Sequence, residues 1–261
     1  MRKATLMLAA GLLTAGCGDD PTGPEGAAPT LPPVESMTFD LDQFTSGGSP
    51  AAGVERQSTA GVHWAAAALS VAVANVAVVV HLAVPVATWR AAIQQTPVFE
   101  DGRWHWRFSV QEGQNTYGGD LSGYAQDGEA IFEMRVTASP LGLSDFLWYT
   151  WRAEVLGTTG SWSFFDPVAP TTEAGRIEWE HPQADEWVVA FIATTGANVG
   201  DELGYHVAGA SRTVTFFDAS AGETAEVHWD EETHAGYIIA PGYNSGVKSC
   251  WNGLLQNTTC P

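Results

Sequence analysis

The sequence predicts a mainly β protein: an antiparallel meander, curved into an open or half barrel and packed on one long N-terminal hydrophobic helix. Three observations carry this expectation. From residue 97 onward, apolar and polar residues alternate with a period of two in segment after segment. Short turn signals such as Asp127-Gly128 separate these segments, which favours hairpins over crossovers. Residues 62–89 contain no charged residue, and so long an apolar stretch needs a partner surface.

At the N-terminus, Arg2 and Lys3 precede an apolar stretch, 6–13, too short to be a permanent membrane span. Residues 1–16 therefore read as a signal peptide. Leu13-Thr14-Ala15-Gly16-Cys17 resembles the bacterial lipobox, with Thr14 standing where that motif favours Leu. The resemblance implies cleavage before Cys17 and acylation of its sulfur, giving a nearly permanent anchor in the cell envelope. An ordinary secretory signal with an incidental cysteine is the alternative. Gly18 follows the cysteine where Asp would retain an enteric lipoprotein at the inner membrane, so the outer membrane is the expected location.

Loss of residues 1–16, which hold two bases and no acid, takes the formal net charge from −19 to −21. A chain this poor in Lys and Arg has no basic stripe for phosphates, which argues against nucleic acid and anionic headgroups as partners. The membrane is then reached through the lipid on Cys17 alone. The acidity itself reads as a solvated surface.

Residues 17–60 carry six prolines among Gly, Ala, Ser and Thr, the composition of a flexible tether. Within it, Met37-Thr38-Phe39-Asp40-Leu41-Asp42 alternates and is a candidate edge strand. Residues 61–261 suit one helix-plus-sheet domain.

That domain opens with 62–89. A transmembrane helix is weighed here and set second, because Asn75, Pro85 and two histidines interrupt the apolar stretch. A single crossing would also carry Cys250 and Cys260 into a reducing compartment. At 100° per residue, His63, Ser70, His81 and Thr88 form one narrow polar line with Ala67 and Ala74 beside it, expected to face water or a cavity. Val76 falls near the centre of the wide apolar side. His63 and His81 stand about 27 Å apart along such a helix, too far to share a metal.

The strands follow. Trp104, Trp106, Phe108 and Val110 share one face; Ala130, Phe132, Met134 and Val136 share another after the Asp127-Gly128 turn. Further strands read at 117–125, 129–136, 146–155, 161–165, 176–180, 187–192, 202–207, 213–217, 226–229 and 237–239. Ser163-Phe164-Phe165-Asp166 recurs as Thr215-Phe216-Phe217-Asp218, and Ile177-Glu178-Trp179 as Val227-His228-Trp229, which suggests a duplicated structural unit.

With Cys17 assigned to lipid, Cys250 and Cys260 form an even pair in an oxidising compartment and are expected to be disulfide-bonded. Closing so short a loop contributes about 3 kcal/mol in the chain-entropy picture. The Pro-rich tether, long apolar segment, Trp-rich strands with a repeated Glu-Trp element and Trp-bearing cysteine pair together resemble a group of exported bacterial lipoproteins with no assigned activity. The resemblance covers most of the mature chain and implies architecture, not chemistry.

No G-x-S-x-G, G-x-x-x-x-G-K, H-E-x-x-H or EF-hand pattern is present. His228, Asp230 and His234, with Glu231 and Glu232, form the richest polar cluster and a weak candidate metal site, which reads more simply as a polar turn. Glu178 and Glu180 share one strand face and stand as a remote candidate glycosidase pair. No cofactor is expected. A non-catalytic binding or interaction module in the envelope ranks first, a carrier of an apolar or lipid-like ligand second, and a carbohydrate hydrolase third. An apolar cavity of several hundred Å³ beside the helix would favour the carrier.

Overall fold

Period-two alternation produces a single sheet in which fourteen strands pair with their neighbours in chain order, all antiparallel. The computed structural model describes residues 28–41, 44, 61–154 and 158–261, without the side chains of 74–81 and Glu112. The signal peptide and Cys17 lie outside the described residues. The strands are β1 (Val98–Glu100), β2 (Arg103–Glu112), β3 (Asn115–Gln126), β4 (Glu129–Ala138), β5 (Leu143–Glu154), β6 (Thr159–Phe165) and β7 (Glu173–Gln183). They continue as β8 (Glu186–Ala193), β9 (Glu202–Ala208), β10 (Ser211–Asp218), β11 (Glu223–Asp230), β12 (Gly236–Ile239), β13 (Ser249–Trp251) and β14 (Asn257–Thr258). The protein is thus mainly β and a meander, as expected. Its sheet is not closed, and β1 and β14 are its edges; their shortness limits edge-to-edge association. Asp127 and Gly128 take φ of 54° and 85°, the positive pair that a two-residue hairpin needs.

Register places the bulky residues in rows across the strands. Phe132 faces Trp151, then come Trp162, Ile177, Phe191 and Leu203 on successive strands. A parallel row runs through Val189, Tyr205, Val214, Val227 and Ile238. All are buried, and each such side chain contributes roughly 1.5–3 kcal/mol of burial. The close approach of rings to strands requires glycine at several crossings, of which two are the clearest. A Cβ on Gly160 would stand 2.7 Å from the Trp179 ring, and one on Gly236 would overlap both Trp251 and the His228 carbonyl. The opposite face carries ion pairs, among them Arg103 with Glu133 at 3.0 Å and Arg176 with Glu178 at 3.1 Å. Such surface pairs are each worth under about 1 kcal/mol.

Helix α1 (Val62–Ala92) is held at its start by the end of the chain. Gly61 N–H donates to the Leu255 carbonyl (2.7 Å), His63 N–H to Asn257 Oδ1 (3.1 Å), and His63 Nδ1 meets the Tyr243 hydroxyl at 2.6 Å. Near its other end, Trp89 packs edge-on against Phe132 and Trp162, with centroids at 6.3 and 5.5 Å. Pro85 lies inside the helix, and Thr88 Oγ1 donates back to the Val84 and Pro85 carbonyls. Among the described residues, no helix is long and apolar enough to cross a membrane.

The expected polar line on this helix needs correction. Ser70 is exposed, but His63 and Thr88 are only half so, and Ala67 is fully buried. The buried side is instead set by Trp64, Ala67, Ala68 and Val71 and resumes at Leu82, Trp89 and Ala92, spacings of three, four and seven. Val62, Leu69 and Val73, apolar residues placed by the wheel in a buried face, are about two-thirds exposed. His81 and Val76 lie among the side chains outside the description.

The tether is also corrected in part. Residues 28–41 lie on the core: Val34–Met37 forms a 3-10 turn, Ser36 and Met37 are wholly buried and Leu41 nearly so. Trp162 Nε1–H donates to Ser36 Oγ (3.1 Å) and the Tyr205 hydroxyl to the Asp40 carbonyl (2.8 Å), so the strap crosses from β6 to β9. Phe44 continues it, stacking on Trp64 and meeting Trp229 edge-on. Over its described part, 37–41, the candidate edge strand is therefore replaced by a segment seated on the inner face, where the aromatic side chains pack on its apolar residues and Tyr205 bonds the Asp40 carbonyl.

Candidate functional site

Exposed Leu69 and Val73 of α1 face the ends of the central strands across a cleft of about 1000 Å³. Strand alternation supplies the other wall, because Phe164, Phe191, Leu203 and Phe216 all fall on the inner face. Gly175 lies beside Phe191, and a Cβ there would meet that ring at 2.8 Å, so its lack of a side chain lets the ring lie flat against the strand. Trp148 and Phe165 add aromatic edge.

The mouth is built from two loops. The β8–β9 connection, containing Thr195, Gly196 (φ 82°) and Asn198, is folded by bonds from Gly200 N–H to the Ala193 carbonyl and from Asp201 N–H to the Asn198 carbonyl. Asp201 Oδ1 accepts from Ala219 N–H (3.0 Å) and so ties this loop to the β10–β11 turn. In the β6–β7 connection, Asp166 Oδ1 accepts from Val168 N–H (2.7 Å). Among its described lining residues the cleft has no Lys, Arg, His or Cys, and its reactive side-chain groups are the carboxylates and the hydroxyls of Ser70 and Thr195. Its chemistry is that of a mostly apolar binding surface with an acidic mouth.

The residues singled out in the sequence lie elsewhere. Cys250 and Cys260 are disulfide-bonded, with Cα atoms 5.2 Å apart, next to the strands that receive the start of α1. The candidate metal ligands are turned to other partners. His228 Nδ1 meets Thr213 Oγ1 at 3.0 Å while its ring stacks on Tyr237, and burial lowers its pKa. Asp230 accepts from Thr233 N–H and Oγ1–H and from Glu232 N–H, bonds that hold its carboxyl below the ordinary value. Glu231 pairs with Arg212, and the His234 carbonyl accepts from Trp251 Nε1–H. Among the described residues, no group of three His, Cys, Asp or Glu side chains is arranged to hold a metal ion. Glu178 and Glu180 are exposed on the outer face, Glu178 against Arg176 at 3.1 Å. Tyr237 is pushed up to about 12 by burial and by its bond to Glu226.

The internal echo maps onto two hairpins, β6–β7 and β10–β11, each with an Asp accepting from its own turn. The copies differ at one place that matters: both Phe164 and its counterpart Phe216 line the cleft, but Phe164 is buried and Phe216 is more than a third exposed. Leu69, Val73 and Phe216 were not singled out by sequence reasoning, since an apolar residue that stays exposed has the same pattern as one that is buried. No protein family, curated protein or solved structure matches the chain.

Proposed function

We propose that this chain is a lipid-anchored envelope protein that holds an apolar or lipid-like molecule in the cleft between helix and sheet, without catalysing a reaction. The observation that carries this reading is the cleft itself: about 1000 Å³ walled by aliphatic and aromatic side chains, two of them on a helix face that is left two-thirds exposed. Monomeric proteins rarely leave such surface concave and bare without a ligand for it. The anchor rests on Cys17 and its lipobox-like neighbours.

The reading includes a sheet that curves around α1 as an open half barrel, with the helix as a chord. Its 31 residues span about 46 Å. It touches β2 and β3 at one end and β14 at the other, strands that a flat sheet would separate by roughly 58 Å. Curvature shortens that distance, and a chord across an arc leaves open space where it does not fill the concavity.

Binding of the uncharged dye Nile red, followed by its fluorescence, tests the proposal. Leu69→Gln with Val73→Gln should weaken binding about tenfold or more by replacing apolar wall with polar groups. The same positions are exposed, so stability should change by less than about 0.5 kcal/mol per site. Unchanged binding in a folded variant would remove the cleft as the site.

A further inference from the structure

We infer that the cleft admits uncharged or cationic amphiphiles and rejects anionic ones. This rests on the proposal that the cleft is a ligand site, and adds the chemistry of the ligand's head. A long apolar tail has its place against Leu69, Val73, Phe191 and Phe216. A head group left at the mouth then meets Asp166, Asp201 and Glu202. Asp166 and Asp201 each spend one oxygen on a backbone N–H, Asp166 within its own loop and Asp201 in the neighbouring β10–β11 turn, which fixes the carboxylates in place. No ion pair to either aspartate or to Glu202 exists among the described residues, and no Lys, Arg or His lines the cleft there. The nearest arginines by strand order are already engaged by carboxylates, Arg176 on the outer face with Glu173 and Glu178, and Arg212 on the inner face with Glu231, and neither lines the cleft.

An anionic head would therefore be brought beside fixed carboxylates with no cation to offset them, inside a chain of net charge −19. A quaternary ammonium or a sugar head has no such penalty, and the mouth offers hydrogen-bond acceptors to the latter. Because a partly open mouth is screened by ions, the discrimination should shrink as salt rises.

Calorimetric titration of the full-length chain with three twelve-carbon amphiphiles below their micellar concentrations tests this. Dodecyltrimethylammonium and dodecyl maltoside should bind, and dodecanoate should bind weaker by at least about tenfold at low salt, equivalent to ~1.4 kcal/mol. Asp166→Asn with Asp201→Asn and Glu202→Gln, which keep the turn acceptors, should narrow that gap. Dodecanoate binding as tightly as the other two would overturn the head-group inference and leave the apolar cleft standing. Failure of all three to bind would overturn both. Ammonium binding that survives Leu69→Gln with Val73→Gln, when maltoside binding does not, would mark attraction to the acidic surface and also overturn the inference.

Discussion

Replacing Trp162 with Ala should destabilise the domain by about 3–5 kcal/mol and lower its melting temperature by roughly 10 °C. Trp162 is wholly buried and is the point where three parts of the fold meet. It meets Tyr149 edge-on and Trp151 at a tilt on the neighbouring strand, receives Trp89 of α1 edge-on, and donates its indole N–H to Ser36 of the strap. Truncation leaves a cavity that rigid strands on both sides cannot close, and removes the indole donor to the Ser36 hydroxyl oxygen, which keeps only its own bond to the Pro33 carbonyl. Denaturant unfolding of wild type and variant gives the difference directly. A loss under about 1 kcal/mol would mean that helix and strap do not converge on this side chain.

A comparable loss, several kcal/mol, is expected for Met37→Asp. Met37 lies wholly buried in a segment whose composition reads as tether. A flexible, solvated tether would tolerate an added carboxylate without any change in unfolding. A strap seated on the inner face cannot, because the charge would be placed among apolar side chains with no cationic partner. Chemical denaturation distinguishes the two outcomes, and a silent Met37→Asp would return residues 28–41 to the status of linker.

These two residues also show what could be read from sequence and what could not. Trp162 sits on a strand legible from alternation, because alternation is a local property and the strand period makes it visible. Nearly every long strand, the Asp127-Gly128 turn and the cysteine pair were legible for the same reason. Three short strands were not: β1, β13 and β14 have two or three residues each, too few to show a period. Met37 belongs to the class of features decided by tertiary contact alone. Pro-rich chain buries little by itself, and only the aromatic inner face, distant in sequence, gives Ser36, Met37 and the Asp40 carbonyl their partners.

The helix shows the same limit in another form. The polar residues predict one face for it, yet with so much of the circumference apolar the polar line does not fix the orientation. Contacts decide it: Trp64 and Trp89 turn inward to aromatic partners, and Leu69 and Val73 are left facing the cleft. The sequence yields the cleft only as a condition, an apolar cavity beside the helix, since its volume depends on how helix and sheet pack, which no local pattern encodes.

Organic extraction of the protein purified from its native cells, followed by mass spectrometry of the extract, tests the ligand proposal most directly. Wild type should yield a non-anionic apolar molecule approaching one equivalent per chain, and Leu69→Gln with Val73→Gln, purified alongside, should yield far less. Extracts with no bound apolar molecule, or with equal amounts from both proteins, would contradict a ligand held between helix and sheet.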